Sequence, residues 1–204
     1  GYNWAGLYLI AIFPSRHYDI EQYPAVKEYL LSFGIERLEQ TGKEHNVNGE
    51  KIKARKKTSN KWFETQDSIS YWEDFSKPKM LWKRVGSILR FCYNDNETLG
   101  LDSTCFATGK NIEFICCVLN SPMGHYLLKD APKTGTGDLL VSVQAIEPIQ
   151  IPQVGLETNS EFKKLLESLI KTDSPSNEKE ISRKVLKLYD LSLDEQSYIE
   201  TNFT

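Results

Sequence analysis

The sequence is poor in the residues from which metal sites are built. Its three histidines, His17, His45 and His125, are scattered over 204 residues, and its four cysteines, at 92, 105, 116 and 117, show no C-x-x-C spacing. Zinc fingers and knuckles need ligands clustered at short intervals, so that class is excluded. Isolated histidines read as surface or core side chains rather than catalysts. Cys116 and Cys117 are adjacent inside an apolar run and read as small buried thiols, as expected of a chain from the reducing cytoplasm. Missing too are the phosphate loop G-x-x-x-x-G-K-S/T, the nucleophile elbow G-x-S-x-G and the zinc-protease helix H-E-x-x-H. Thr134-Gly135-Thr136-Gly137 does not follow a strand and open a helix, so it is no nucleotide fingerprint. The apolar opening, Trp4 to Phe13, is ten residues long, about half of the ~20 that cross a bilayer. It has no basic segment or small-residue cleavage site, so neither a membrane span nor a signal peptide is expected. The chain begins at Gly1 without a methionine, which is expected of a piece of a longer protein.

What is present suits a folded domain. Hydrophobic residues make up 40% and aromatics 11%, enough to fill a core. The formal net charge of −3 is unevenly spread. Between Lys43 and Arg90 twelve basic residues face six acidic ones, whereas the last fifty residues tip to acid. A phosphate feels the local potential, so this asymmetry matters more than the total.

Tyr8 to Phe13, closed by Pro14, reads as a strand, and Pro24 to Gly34 as a helix with Val26, Tyr29, Leu30 and Phe33 at helical spacing. Residues 39–53, poor in apolar side chains and holding two glycines and two asparagines, read as a solvated loop. Residues 80–93 and 98–108 are expected to be antiparallel partners around the Asn94-Asp95-Asn96 turn. A buried helix follows from Ile112 to about Ser121-Pro122, resuming after Gly124. Residues 131–138 form a glycine-rich loop, and 139–152 read as an edge strand broken by prolines. Then come amphipathic helices, one with Phe162, Leu165, Leu166, Leu169 and Ile170 on its apolar face and one with Ile181, Val185, Leu188 and Tyr189. Ser192 with Glu195 caps a last short helix. The order predicts an α+β fold, a mixed and mostly antiparallel sheet with packed helices, followed by C-terminal helices. The expected division is a domain at 1–154 and a helical appendage at 155–204.

The segment with functional content is Arg55 to Trp62. Arg55, Lys56, Lys57 and Lys61 can neutralise phosphates and release counterions. Thr58, Ser59 and Asn60 can donate to phosphate or read base edges, and asparagine pairs bidentately with adenine. The bland alternative is a solvated basic turn before a strand. Lys83 and Arg84 offer a second basic pair, of which an alternating strand would turn only one toward a groove. Lys133 and Thr136 place a cation and a hydroxyl in the glycine-rich loop. Glu64 and Asp67 are two carboxylates three apart that a metal-dependent nuclease could use, although such pairs often arise by chance and a cap or solvated turn is their commoner role.

Several blocks carry a resemblance. Arg37-Leu38-Glu39-Gln40-Thr41-Gly42 precedes Arg55 to Asp67 (RKKTSNKWFETQD), then Lys79-Met80-Leu81-Trp82-Lys83-Arg84-Val85, then LDSTCFATG at 101–109, LNS at 119–121 and a Q-x-I-x-x-I-x-I-P pattern at 144–152. In this order they resemble the TaqI-like C-terminal specificity domain of type IIG restriction-modification enzymes and adenine-specific DNA methyltransferases, over nearly the whole chain. The resemblance implies a module that reads double-stranded DNA for a methyltransferase domain in cis. That absent domain would bind S-adenosylmethionine and flip the adenine with an Asn/Asp-Pro-Pro-Tyr/Phe motif, which this sequence lacks. The fragment is therefore expected to need no cofactor and to be catalytically silent.

Three readings follow. In the first the chain recognises DNA, with 55–61 and 83–84 on phosphates and the loops 43–60 and 131–138 reaching bases. In the second it is a small metal-dependent nuclease built on Glu64 and Asp67. In the third it is a protein-interaction module whose surface is the C-terminal helices.

Overall fold

The structure, a computed structural model, describes residues 5–172 and 174–203. The described chain divides into two compact units, 5–72 and 73–203. The boundary falls at 72/73 rather than at the composition change near 155, because the C-terminal helices share the core of the second unit instead of standing apart.

The first unit opens without the expected strand at 8–13. Leu7, Tyr8 and Leu9 are exposed, and only Ile12 and Phe13 are buried. A strand needs a ladder of partners, whereas here Ile12 O accepts one bond from Thr65 N, at 2.8 Å. Single 3-10 turns at Pro14–Arg16 and Ile20–Gln22 lead to α1 (Pro24–Leu31), with proline at its first position, where a missing N–H costs nothing. Gly34, at φ +88°, turns the chain into the short α2 (Ile35–Leu38). The expected loop at 39–53 is instead a β-hairpin, β1 (Glu44–Val47) against β2 (Glu50–Lys53). Asn48 and Gly49 both have positive φ, 54° and 85°, as a two-residue type I′ turn requires. The rest of the unit contains no helix or strand up to the 3-10 turn at Trp72–Ser76 and is held by side-chain hydrogen bonds together with isolated backbone ones such as Thr58 N to Gln40 O.

The second unit is built on a three-stranded antiparallel sheet, β3 (Lys79–Lys83), β5 (Phe91–Asn94) and β6 (Thr104–Thr108), in the order β5-β3-β6. The expected long strand at 80–93 is cut in three, because after β3 the chain crosses to a small separate pair, β4 (Val85–Gly86) with β7 (Leu139–Leu140). Met80 stands opposite Tyr93 and Ala107, and Trp82 opposite Phe91 and Cys105, so these six share one face. That face carries the core. Against it lies α3 (Ile112–Leu119), which buries Phe114, Cys116, Cys117, Val118 and Leu119, and α4 (Pro122–Leu127) follows after the cap on Ser121. Gly124 lets α4 fold tightly back on α3: a Cβ there would lie 2.5 Å from Leu119 Cα and 2.6 Å from its carbonyl oxygen.

The segment expected as an edge strand at 139–152 is only two residues of strand before the short helix α5 (Val143–Ile146). Helices α6 (Leu156–Thr172), α7 (Pro175–Lys187) and α8 (Leu193–Asn202) complete the fold. Phe162 and Leu166 of α6, Ile181, Val185 and Leu186 of α7 and Ile199 of α8 are buried in the same core as Phe114. Phe114 and Phe162 meet edge to face at 4.9 Å, and burying each contributes about 2–3 kcal/mol. Ile170, expected on the apolar face, is 59% exposed, and Leu188 falls just past the end of α7. The capping box between Ser192 and Glu195 is formed as read, and its hydrogen bonds hold the Glu195 carboxyl below the usual range. The fold is α+β with C-terminal helices, and every strand pair among the described residues is antiparallel.

Two buried polar groups brace this unit. Lys79, in the middle strand, is fully buried, and its ammonium donates to the carbonyls of Phe75 (2.8 Å) and Asn96. Burial lowers its pKa, against the pull of Asp95 and Glu97. Glu113 of α3 accepts from Tyr93 Oη at 3.2 Å and Asn159 Nδ2 at 3.4 Å, and pairs with Lys163 at 3.2 Å. Burial raises its pKa, but its own backbone N–H, Lys163 and Asn159 outweigh that and leave it lowered. No helix of the described residues is long and apolar enough to cross a membrane.

Candidate nucleic-acid interface

In the first unit the side chains Arg55, Thr58 and Asn60 of the basic run 55–61 build a hydrogen-bond network with Gln40 and with backbone carbonyls before and after the run. Arg55 does not face a phosphate. Its Nε and Nη2 donate to Leu38 O at 2.8 and 2.6 Å, its Nη1 to Glu64 O at 2.9 Å, and its Nη2 also to Trp62 O. A planar fork of five donors is the side chain able to gather three carbonyls at once. Burial lowers the Arg55 pKa, yet a guanidinium stays charged at neutral pH.

Gln40 is the second hub. Its Nε2 donates to Lys61 O at 3.0 Å and Glu64 O at 2.8 Å, and its Oε1 accepts from Thr58 Oγ1 at 2.6 Å. Thr58 Oγ1 also accepts from Asn60 N at 3.0 Å, while Asn60 Nδ2 donates to Thr65 O and Gln66 O at 3.0 and 3.1 Å. Thr58 and Asn60 therefore do not present donors to a base edge; they hold the loop's shape. Glu64 is buried and accepts from Lys61 N at 2.7 Å, a local cap of the turn. No group of three or more potential metal ligands occurs among the described residues. Trp62 and Phe63 pack edge to face on each other at 5.4 Å.

What the run leaves in solvent is Lys56, Lys57, Ser59 and Lys61. Lys61 lies 5.5 Å over the Phe63 ring. Lys51 and Lys53 of β2 are exposed as well, and among the described residues none of Lys51, Lys53, Lys56 and Lys57 makes an ion pair. Gln40 was not singled out in the sequence as a functional residue. Its only signal was membership of the 37–42 block, whose partner is the 55–67 block.

In the second unit Lys83 ends β3 and Arg84 follows it, so both are exposed rather than alternating. With Val85 and Ser103 they line a shallow cleft of about 260 Å³. Lys133 is exposed, but Thr136 is engaged at home: it shares a hydrogen bond with Thr134 Oγ1 at 2.8 Å and donates to Asp138 Oδ2 at 3.1 Å. The loop is thus a self-contained turn, closed by Thr134 N on Asp138 O at 2.8 Å. The histidines stay separate: His17 ends a 3-10 turn, His45 lies 3.5 Å from Glu39, and His125 Nδ1 is 2.9 Å from Phe203 O. Phe162, Leu166, Ile181, Val185, Leu186 and Ile199 of α6 to α8 are taken up by the core, while Leu156, Ile170, Leu193 and Tyr198 of these helices stay exposed.

No protein-family model matches the chain, and no curated protein matches it.

Proposed function

We propose that this chain is the DNA target-recognition module of an adenine-specific DNA methyltransferase or a restriction-modification enzyme. It holds double-stranded DNA for a methyltransferase domain in cis, which binds S-adenosylmethionine and carries the chemistry. The observation that carries this reading is the division of labour in residues 55–61. Arg55, Thr58 and Asn60 build the loop, and Lys56 and Lys57 are left in water without acidic partners. Unpaired lysines attract phosphates, and each contact made releases condensed counterions. The two blocks that carry the family resemblance, 37–42 and 55–67, are hydrogen-bonded to each other through Arg55, Gln40 and Thr58, which supports reading them as one structural signature.

Fluorescence anisotropy of the chain with labelled duplex DNA across a salt series tests this, with and without magnesium. A log–log slope of up to about 0.9 per lysine engaged is expected, with dissociation constants on the order of 10⁻⁴–10⁻⁶ M for arbitrary sequence. Undetectable binding at low salt would overturn the proposal. Magnesium-dependent cleavage of the duplex would replace it with the nuclease reading.

A further inference from the structure

We infer that the β1–β2 hairpin is the element that reads sequence, entering the major groove of duplex DNA as a two-stranded ribbon with Asn46 and Lys51 toward the base edges. This rests on the DNA-binding reading above. The register sorts the hairpin into two faces. His45 stands opposite Ile52 and Val47 opposite Glu50, and His45, Val47 and Ile52 are half-buried. Glu44 stands opposite Lys53 and Asn46 opposite Lys51, and all four are exposed. The pair at the root, Glu44 with Lys53, is neutral as a unit. The pair nearer the tip, Asn46 with Lys51, offers an amide and an ammonium to whatever lies in front of it.

Asn46 has no role in the fold that would explain it. Asparagine is depleted in strands because its amide competes with the ladder, and among the described residues no hydrogen bond is made by the Asn46 side chain. Residues that break a local rule without an internal partner are where binding chemistry is expected. Asparagine pairs bidentately with adenine N6/N7, and lysine donates to guanine O6/N7.

The hairpin is also stiff enough to carry specificity. Its tip is a type I′ turn at Asn48-Gly49. Its root is extended by Ala54 N to Lys43 O at 2.9 Å and Gly42 N to Arg55 O at 2.8 Å, and Arg55 is the residue fastened to three carbonyls. Strands spaced about 4.8 Å apart make a ribbon that fits a groove ~12 Å wide and not one ~6 Å wide. The charge matches: in residues 43–57 six basic side chains face two acidic ones. A-form RNA, with a deep narrow major groove, offers such a ribbon no entry.

The test uses the full chain and a preferred duplex selected from a random pool, read by anisotropy against a scrambled duplex and an RNA duplex. Competitors are methyl green, which fills the major groove, and distamycin, which fills the minor groove. Methyl green is expected to displace the chain and distamycin to leave it bound. The N46A/K51A double variant is expected to lose about tenfold or more of the preference for the selected duplex while keeping its affinity for the scrambled one within a fewfold. A K56A/K57A variant is expected to weaken both duplexes alike. Both pairs are exposed, and matching circular dichroism establishes that the variants fold. Selection of no preferred sequence, indifference to methyl green, or an intact preference in N46A/K51A each overturns the hairpin assignment and leaves the DNA-binding proposal standing. Binding to RNA duplex as tight as to DNA also overturns it, and absence of binding to any duplex overturns both.

Discussion

Replacing Arg55 separates a structural arginine from a phosphate-binding one. Its guanidinium makes four hydrogen bonds to three backbone carbonyls, those of Leu38, Trp62 and Glu64. A hydrogen bond from a charged donor contributes about 1.5–3 kcal/mol, and a buried carbonyl left unmet costs about 1–3 kcal/mol. The site is half-buried, so water replaces part of the loss, and Arg55→Ala is expected to destabilise the unit 5–72 by about 2–4 kcal/mol. Lysine keeps the charge but not the fork, so Arg55→Lys retains one carbonyl and costs about 1–2 kcal/mol. Urea denaturation followed by tryptophan fluorescence gives the loss, and hydrogen exchange over peptides from 35–72 localises it. Duplex affinity, measured below the unfolding transition, is expected to stay within about twofold of the parent for Arg55→Lys. A change in stability under about 0.5 kcal/mol in Arg55→Ala, together with a tenfold loss of DNA affinity, would refute the reasoning. Arg55 would then be a phosphate contact after all.

Reversing Lys56 and Lys57 to glutamate is expected to weaken all duplex sequences alike and to lower the salt slope by about 2 or more, as read by anisotropy at several salt concentrations. Gly124→Ala is expected to destabilise the unit 73–203 by about 3 kcal/mol, the reverse of the usual helix preference for alanine, because the new methyl meets the backbone of Val118 and Leu119; thermal melts check the sign. Glu113 has a folded-state pKa below its ordinary value, so its stabilisation is present above the unfolded value and is lost as pH falls through the folded one. Glu113→Gln is therefore expected to cost about 1–2 kcal/mol at neutral pH, with the gap to the parent closing below about pH 4 in urea titrations. A gap independent of pH would show that the pairing with Lys163 contributes nothing.

The helices of the second unit were legible because their apolar residues recur at helical spacing and their caps are local, as with Ser192 and Glu195. The hairpin was not, since only Val47 and Ile52 are apolar in it and the period-2 pattern has too few terms to see. Its turn was in plain sight, though: Asn48-Gly49 is the dipeptide a type I′ turn demands, and weighting turn chemistry above hydrophobicity would have found it. The segment 139–152 failed for the opposite reason, because alternating apolar residues interrupted by prolines serve a short strand and a short helix equally well. The candidate site was legible in composition and not in direction. Arg55, Lys56 and Lys57 are three cations in a row, and nothing local distinguishes them. What distinguishes them is the Leu38 carbonyl, 17 residues back, and the Trp62 and Glu64 carbonyls, 7 and 9 residues ahead, which together fit a fork and not an ammonium. A basic run therefore locates a candidate phosphate-binding region only to within its own length. Which of its charges stay free to meet a phosphate is decided by the partners that the fold supplies to the others.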